Sequence, residues 1–138
     1  MKVAIINIDS QIGSYRDKTG KLIKGFELSD VIVMMKNNTD AESIQVNINS
    51  PGGNPDVAFS IAEYLKSFKK PITTIANKLC ASAATIIYSI GDQRHIVAGT
   101  EFLIHLPKLL NVSGTADDLE MASDYIRETE VLMAKAYS

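Results

Sequence analysis

Val3 to Ile8 is a short run of β-branched and apolar residues, the pattern of a strand buried in a sheet. Gly13 to Gly25 is polar and punctuated by glycine, which predicts an exposed loop or hairpin. From Phe26 to Lys36 the apolar residues Phe26, Val31, Met34 and Met35 recur at helical spacing, with Ser29 as a candidate cap. Ile44, Val46 and Ile48 then alternate with polar residues, marking a second strand. Ser50-Pro51-Gly52-Gly53 breaks that strand, and Asn54-Pro55 supplies a cap and first-turn proline for a helix reaching about Ser67. Pro71 opens a third strand over Ile72 to Ala76, and a small-residue helix starts near Ser82 and is closed by Gly91. Arg94 to Ala98 and Phe102 to Ile104 read as short strands, and Thr115 to Tyr137 as the longest helix. Alternation of strands and helices predicts an α/β fold with a largely parallel sheet.

Composition narrows the functional classes. With 138 residues, 46% of them hydrophobic, the chain reads as a single domain over 1–138. A net charge of −2 and no basic stripe argue against a nucleic-acid partner. The longest uncharged stretch, Leu79 to Gly91, is too short to cross a bilayer, and the apolar run before Asp9 lacks the length of a signal-peptide core. The expectation is a cytoplasmic protein with no membrane partner. Cys80 is the one cysteine, so no internal disulfide forms. Two histidines and one cysteine build no soft-ligand metal cluster, and no cofactor is expected.

Three short segments carry candidate chemistry. In Leu79-Cys80-Ala81-Ser82-Ala83-Ala84 the small neighbours admit a substrate carbonyl to the Ser82 hydroxyl, and a serine opening a helix has free N–H groups beside it. In Asn49-Ser50-Pro51-Gly52-Gly53 two glycines between strand and helix let backbone N–H groups approach a ligand. In Phe102-Leu103-Ile104-His105 a histidine ends an apolar strand. Singly, each is more often a cap, a tight turn or a structural histidine.

Taken together in this order, the three segments resemble the Clp-protease proteolytic subunits. Gly53 precedes Ser82 by 29 residues and Ser82 precedes His105 by 23, close to the family's separations. Gly114-Thr115-Ala116-Asp117-Asp118-Leu119 is similar to the start of the family's long handle helix. The resemblance implies a ββα spiral of the Clp/crotonase type with a mostly parallel sheet and a C-terminal handle helix. It implies a serine endopeptidase with Ser82 as nucleophile, His105 as general base, and the N–H groups of Gly53 and Ala83 in the oxyanion hole. It also implies a homo-oligomeric ring, associating through the helix at 115–137, that acts on peptides or unfolded proteins.

Two features refine the resemblance. The family's axial segment, which contacts a ring ATPase, has no counterpart before Val3, so the N-terminus does not support an ATPase partner. That start and the Ala-Ser-Ala-Ala run resemble the Clp-related head-maturation proteases of phages and prophages, whose substrates include scaffold proteins. The family's third catalytic residue, an aspartate roughly fifty residues after the histidine, has no position among the 33 residues that follow His105. Lys108-Leu109-Leu110 stands where relatives have a glycine-bearing segment that pairs with substrate. The expectation for these 138 residues is therefore slow hydrolysis. The alternatives are a silent ring-assembly subunit of the same fold and, more distantly, a crotonase-type acyl-coenzyme A enzyme.

Overall fold

A computed structural model describes residues 2–104 and, beyond them, residues 115, 116, 120, 124, 127 and 128. The chain divides after Ile104 into two compact units. The first carries the elements β1 (Val3–Ile8), β2 (Tyr15–Arg16), β3 (Leu22–Ile23), α1 (Leu28–Lys36), β4 (Ser43–Ser50), α2 (Pro55–Lys66), β5 (Ile72–Ala81), α3 (Ala84–Ser89), β6 (Gln93–Ile96) and β7 (Glu101–Leu103). In the second, the described residues Ala116, Glu120, Asp124, Arg127 and Glu128 are helical and exposed. The rest of the predicted 115–137 helix, with Lys108, Leu109 and Leu110, lies outside the described residues.

The main sheet runs β1-β4-β5-β6, with β7 also on β5, and every pairing in it is parallel. Each crossover from β1 to β4 to β5 to β6 advances in one direction, and right-handed crossovers of that kind put the helices on one face. The strand residues on that face are buried: Ala4, Ile6 and Ile8 of β1, Ile44, Val46 and Ile48 of β4, and Ile72 and Ala76 of β5. Val31 and Met35 of α1, Ile61 and Leu65 of α2, and Ile86 and Ile87 of α3 complete the core. Alternate residues of β1 are open instead, with Val3 37% and Ile5 50% exposed. β1 is the end strand among the described residues, and the buried strand that its apolar run predicts is covered on one face. On the open face, Asn47 Nδ2 donates to Asn7 Oδ1 at 2.9 Å and Gln45 Nε2 to Asn47 Oδ1 at 3.0 Å.

The start of α1 and the end of β5 are among the boundaries that differ from the pattern-based reading. α1 starts at Leu28, with Glu27 as its cap, because Phe26 is still extended: its N–H donates to the Gln11 carbonyl and its carbonyl accepts from Gly13. Asp30 closes the cap by accepting the Glu27 N–H at 2.8 Å, and Ser29 takes no part. β5 runs on to Ala81, five residues past its predicted end, and a bulge hides the continuation. Ile48 pairs with Ala76 but Ser50 pairs with Cys80, so two steps on β4 face four on β5. Lys78, inside the bulge, has φ 70°. Past it, Leu79, Cys80 and Ala81 leave the line of β6 and pair with Glu101, Phe102 and Leu103 of β7. A bulge of this kind bends its strand and re-aims the residues beyond it.

The left-handed Lys78 supports a first prediction. A β-branched side chain there suffers a steric cost of roughly 1–2 kcal/mol that glycine escapes. Urea unfolding should therefore find Lys78→Val less stable than Lys78→Gly by about that margin, the reverse of the order at an ordinary exposed strand position. Equal stabilities would contradict the left-handed bulge.

Candidate active site

The site forms where β4 and β5 end side by side. β4 closes at Ser50, and the chain turns through Pro51, Gly52 and Gly53 into α2. Asn54 caps α2, its side-chain oxygen accepting from the Asp56 N–H at 2.8 Å and the Val57 N–H at 3.3 Å, as its place before Pro55 predicts. Gly52 has φ 96° and Gly53 φ 142°, values that favour glycine. Beside this turn, Ile12 bridges Gly53 on one side and Phe26 on the other. Ile12 N–H donates to the Gly52 carbonyl at 2.7 Å, and Asn54 N–H donates to the Ile12 carbonyl at 2.9 Å.

That pairing orients the Gly52–Gly53 peptide. The C=O and N–H of a trans peptide point to opposite sides, and no peptide bond here is cis. With the Gly52 carbonyl turned to Ile12, the Gly53 N–H points away from it, and no described residue accepts its hydrogen bond. Gly53 is itself an exposed residue.

Ser82 follows directly on β5. The alanine-rich run predicts a serine that opens the helix, but Ser82 stands two residues ahead of α3 at φ 56°. Left-handed backbone at a non-glycine residue costs on the order of 1–3 kcal/mol and is concentrated at functional sites. Here it makes a sharp strand-to-helix turn, the geometry that lifts a nucleophilic serine out of a sheet and leaves the next residue's N–H free. Backbone bonds hold the turn: Ser82 N–H donates to the Leu103 carbonyl at 2.9 Å, and Thr85 N–H and Oγ1 donate to the Ser82 carbonyl at 3.0 and 2.6 Å. Among the described residues nothing accepts from the Ala83 N–H and nothing bonds the Ser82 hydroxyl, which belongs to a half-buried residue.

The two loops touch. A Cβ built on Gly52 would lie 2.6 Å from the Ala81 carbonyl oxygen, 2.7 Å from Ser82 Cβ and 2.9 Å from Ala83 N. Gly52 is therefore the point of contact, while Gly53 sits against Gln11 and Ile12. The structure thus brings Gly53, Ser82 and Ala83 together through Gly52, a contact that the paired glycines of the sequence did not disclose. His105 lies outside the described residues.

Cys80, two residues before Ser82, offers no rival nucleophile. It is fully buried, and the lost hydration of its thiolate pushes the thiol from an ordinary 9.0 up to about 12. Because the folded pKa is the higher one, the folded chain holds a proton that the unfolded chain releases. The resulting stability is complete below pH 9.0 and is lost as pH rises toward about 12. Between pH 9 and 11, the free energy of unfolding in urea should therefore fall more steeply for the native sequence than for Cys80→Ala. Parallel slopes would refute the buried neutral thiol.

A parallel sheet, a serine on a strained strand-to-helix turn and an adjoining glycine loop with an outward N–H are the parts from which serine acyl-transfer sites are built. Comparison with known families matches the Clp protease family over residues 15–138, and this chain belongs to that family. It is 32% identical over 115 residues to the ATP-dependent Clp protease proteolytic subunit 2 of Treponema denticola, covering 79% of this chain and 57% of that protein. It is 36% identical over 91 residues to the ATP-dependent Clp protease proteolytic subunit of Leuconostoc citreum, covering 64% of this chain and 46% of that one. A proteolytic subunit 1 from Chlamydia trachomatis is 28% identical over 93 residues, covering 65% and 48%. The chain thus spans about half the length of the curated relatives it matches. Among the described residues no helix is long and apolar enough to cross a membrane.

Proposed function

We propose that this chain carries the nucleophile and oxyanion-binding donors of a Clp-type serine endopeptidase. The observation that carries the reading is Ser82 at φ 56°, packed against Gly52, with the N–H groups of Ala83 and Gly53 unengaged by described residues. In the proposed reaction Ser82 Oγ attacks the scissile carbonyl carbon, and His105 takes the hydroxyl proton as the Oγ–C bond forms. The carbonyl oxygen takes up the negative charge and is met by the Gly53 and Ala83 N–H groups, worth roughly 3 kcal/mol each in related oxyanion holes. As the C–N bond breaks, His105 returns the proton to the leaving amine. Water, deprotonated in turn by His105, releases the acyl group and restores Ser82.

The substrates of this reading are peptides and unfolded or scaffold proteins, cut without a cofactor by a homo-oligomeric ring in the cytoplasm. A role in phage head maturation is the narrower form of the same proposal. The test is turnover of fluorogenic peptides and casein by the protein at its native length, with and without a fluorophosphonate. Turnover that stops in step with modification supports the reading. Turnover indifferent to the reagent, or sensitive only to a metal chelator, overturns it.

A further inference from the structure

Among the described residues, the buried polar side chains are Ser50, Thr74 and Thr85. None is left without a hydrogen-bond partner, as the cost of an unpaired buried hydroxyl demands. Thr85 Oγ1 donates to the Ser82 carbonyl at 2.6 Å, and so holds the nucleophile's own peptide. Thr74 Oγ1 donates to the Tyr88 carbonyl at 2.8 Å, tying β5 to the far end of α3. Ser50 Oγ accepts the Gly52 N–H at 3.1 Å.

We infer that the Ser50 hydroxyl is a positioning residue, which fixes the Gly52–Gly53 peptide so that the Gly53 N–H is aimed at the oxyanion. This rests on the reading of Ser82 and Gly53 proposed above. Two consecutive glycines form the least constrained dipeptide a chain can place at a site. Here Gly52 is clamped at both ends: its N–H is held by Ser50 and its carbonyl by Ile12. Its Cα faces Ala81, Ser82 and Ala83, with no room for a methyl group between them. Ser50 is also the β4 residue that pairs with Cys80, so the clamp is anchored on the strand that carries the nucleophile. Removing the hydroxyl frees one end of Gly52. The donor then samples orientations that no longer meet the developing charge, while the sheet beneath keeps its pairing. A local turn-forming bond from serine to the residue two places on is common. Its place here, one peptide from the donor, turns it into a catalytic adjustment, because misplacements of about 1 Å can cost on the order of a hundredfold in rate.

The experiment compares peptide turnover and thermal unfolding for Ser50→Ala, Ser50→Thr, Thr74→Val and Ser82→Ala at native length. Ser50→Ala should lose roughly tenfold to a hundredfold in kcat with KM within about twofold, the signature of an interaction made in the transition state. Ser50→Thr, which keeps the hydroxyl, should recover most of the loss. Thr74→Val also deletes a buried hydroxyl but leaves the glycine loop untouched, so it should lose stability with kcat unchanged. An unchanged kcat in Ser50→Ala, a change confined to KM, or an equal kcat loss in Thr74→Val would each overturn the inference. So would a folded Ser50→Thr as slow as Ser50→Ala. Should Ser50→Thr not fold, the contrast between Ser50→Ala and Thr74→Val decides alone. Full activity in Ser82→Ala would instead defeat the reading on which the inference rests.

Discussion

Replacing Ser82 with alanine in the native-length protein is expected to lower peptide turnover by about a millionfold, the scale of nucleophile loss in serine proteases, with the fold intact. The interactions that hold the Ser82 turn are made by its backbone: the N–H bonds the Leu103 carbonyl, and the carbonyl receives both Thr85 donors. Alanine keeps all three. It meets the same left-handed cost as serine at φ 56°, so the backbone has no new reason to rearrange. Circular dichroism and the thermal midpoint should match those of the native sequence while turnover vanishes. A variant that retains activity would show that Ser82 is not the nucleophile.

Gly52→Ala is expected to cost at least a hundredfold in turnover together with several kcal/mol of stability, although the proposed reaction gives Gly52 no chemical role. The added methyl would meet the Ala81 carbonyl oxygen, Ser82 Cβ and Ala83 N at 2.6–2.9 Å. Two of those three are backbone atoms of the turn around Ser82, and none is the end of a flexible side chain. The clash is therefore relieved only by separating the two loops. φ 96° at Gly52 adds strain for any side chain. Separation moves the Gly53 donor away from Ser82, so activity and stability should fall together. Ser82→Ala should lose activity alone. Native turnover in Gly52→Ala would mean that the loops do not touch as described.

Much of this arrangement is written locally in the chain. The two-residue alternation of β4 and the Asn54-Pro55 helix start carry their own signals, and both elements stand where those signals put them. The parallel sheet follows from the alternation of strands and helices. Features that depend on contacts between distant segments are hidden from the local pattern. The bulge at Lys78 interrupts the alternation of β5, so its second half does not read as strand, although it is the half that delivers Ser82. The start of α1 is set by Phe26 pairing with a segment fourteen residues earlier at Ile12, which the helical spacing of Phe26 does not disclose. Ser82 in a left-handed turn is invisible to propensity, since serine is ordinary at a helix start and rare at φ 56°. Gly53 is legible as a backbone donor because of the adjacent glycines. The roles of Gly52 and Ser50 emerge only when the ends of β4 and β5 are set side by side.

The central claim is that Ser82 is an activated nucleophile. Its most direct test is to treat the native-length protein with a fluorophosphonate and locate the adduct by peptide mass spectrometry. A single phosphonylated residue, Ser82, appearing in proportion to the loss of peptide turnover is the expected result. An unmodified Ser82 in inhibited protein, or an adduct on another serine that accounts for the whole loss of activity, would contradict the claim.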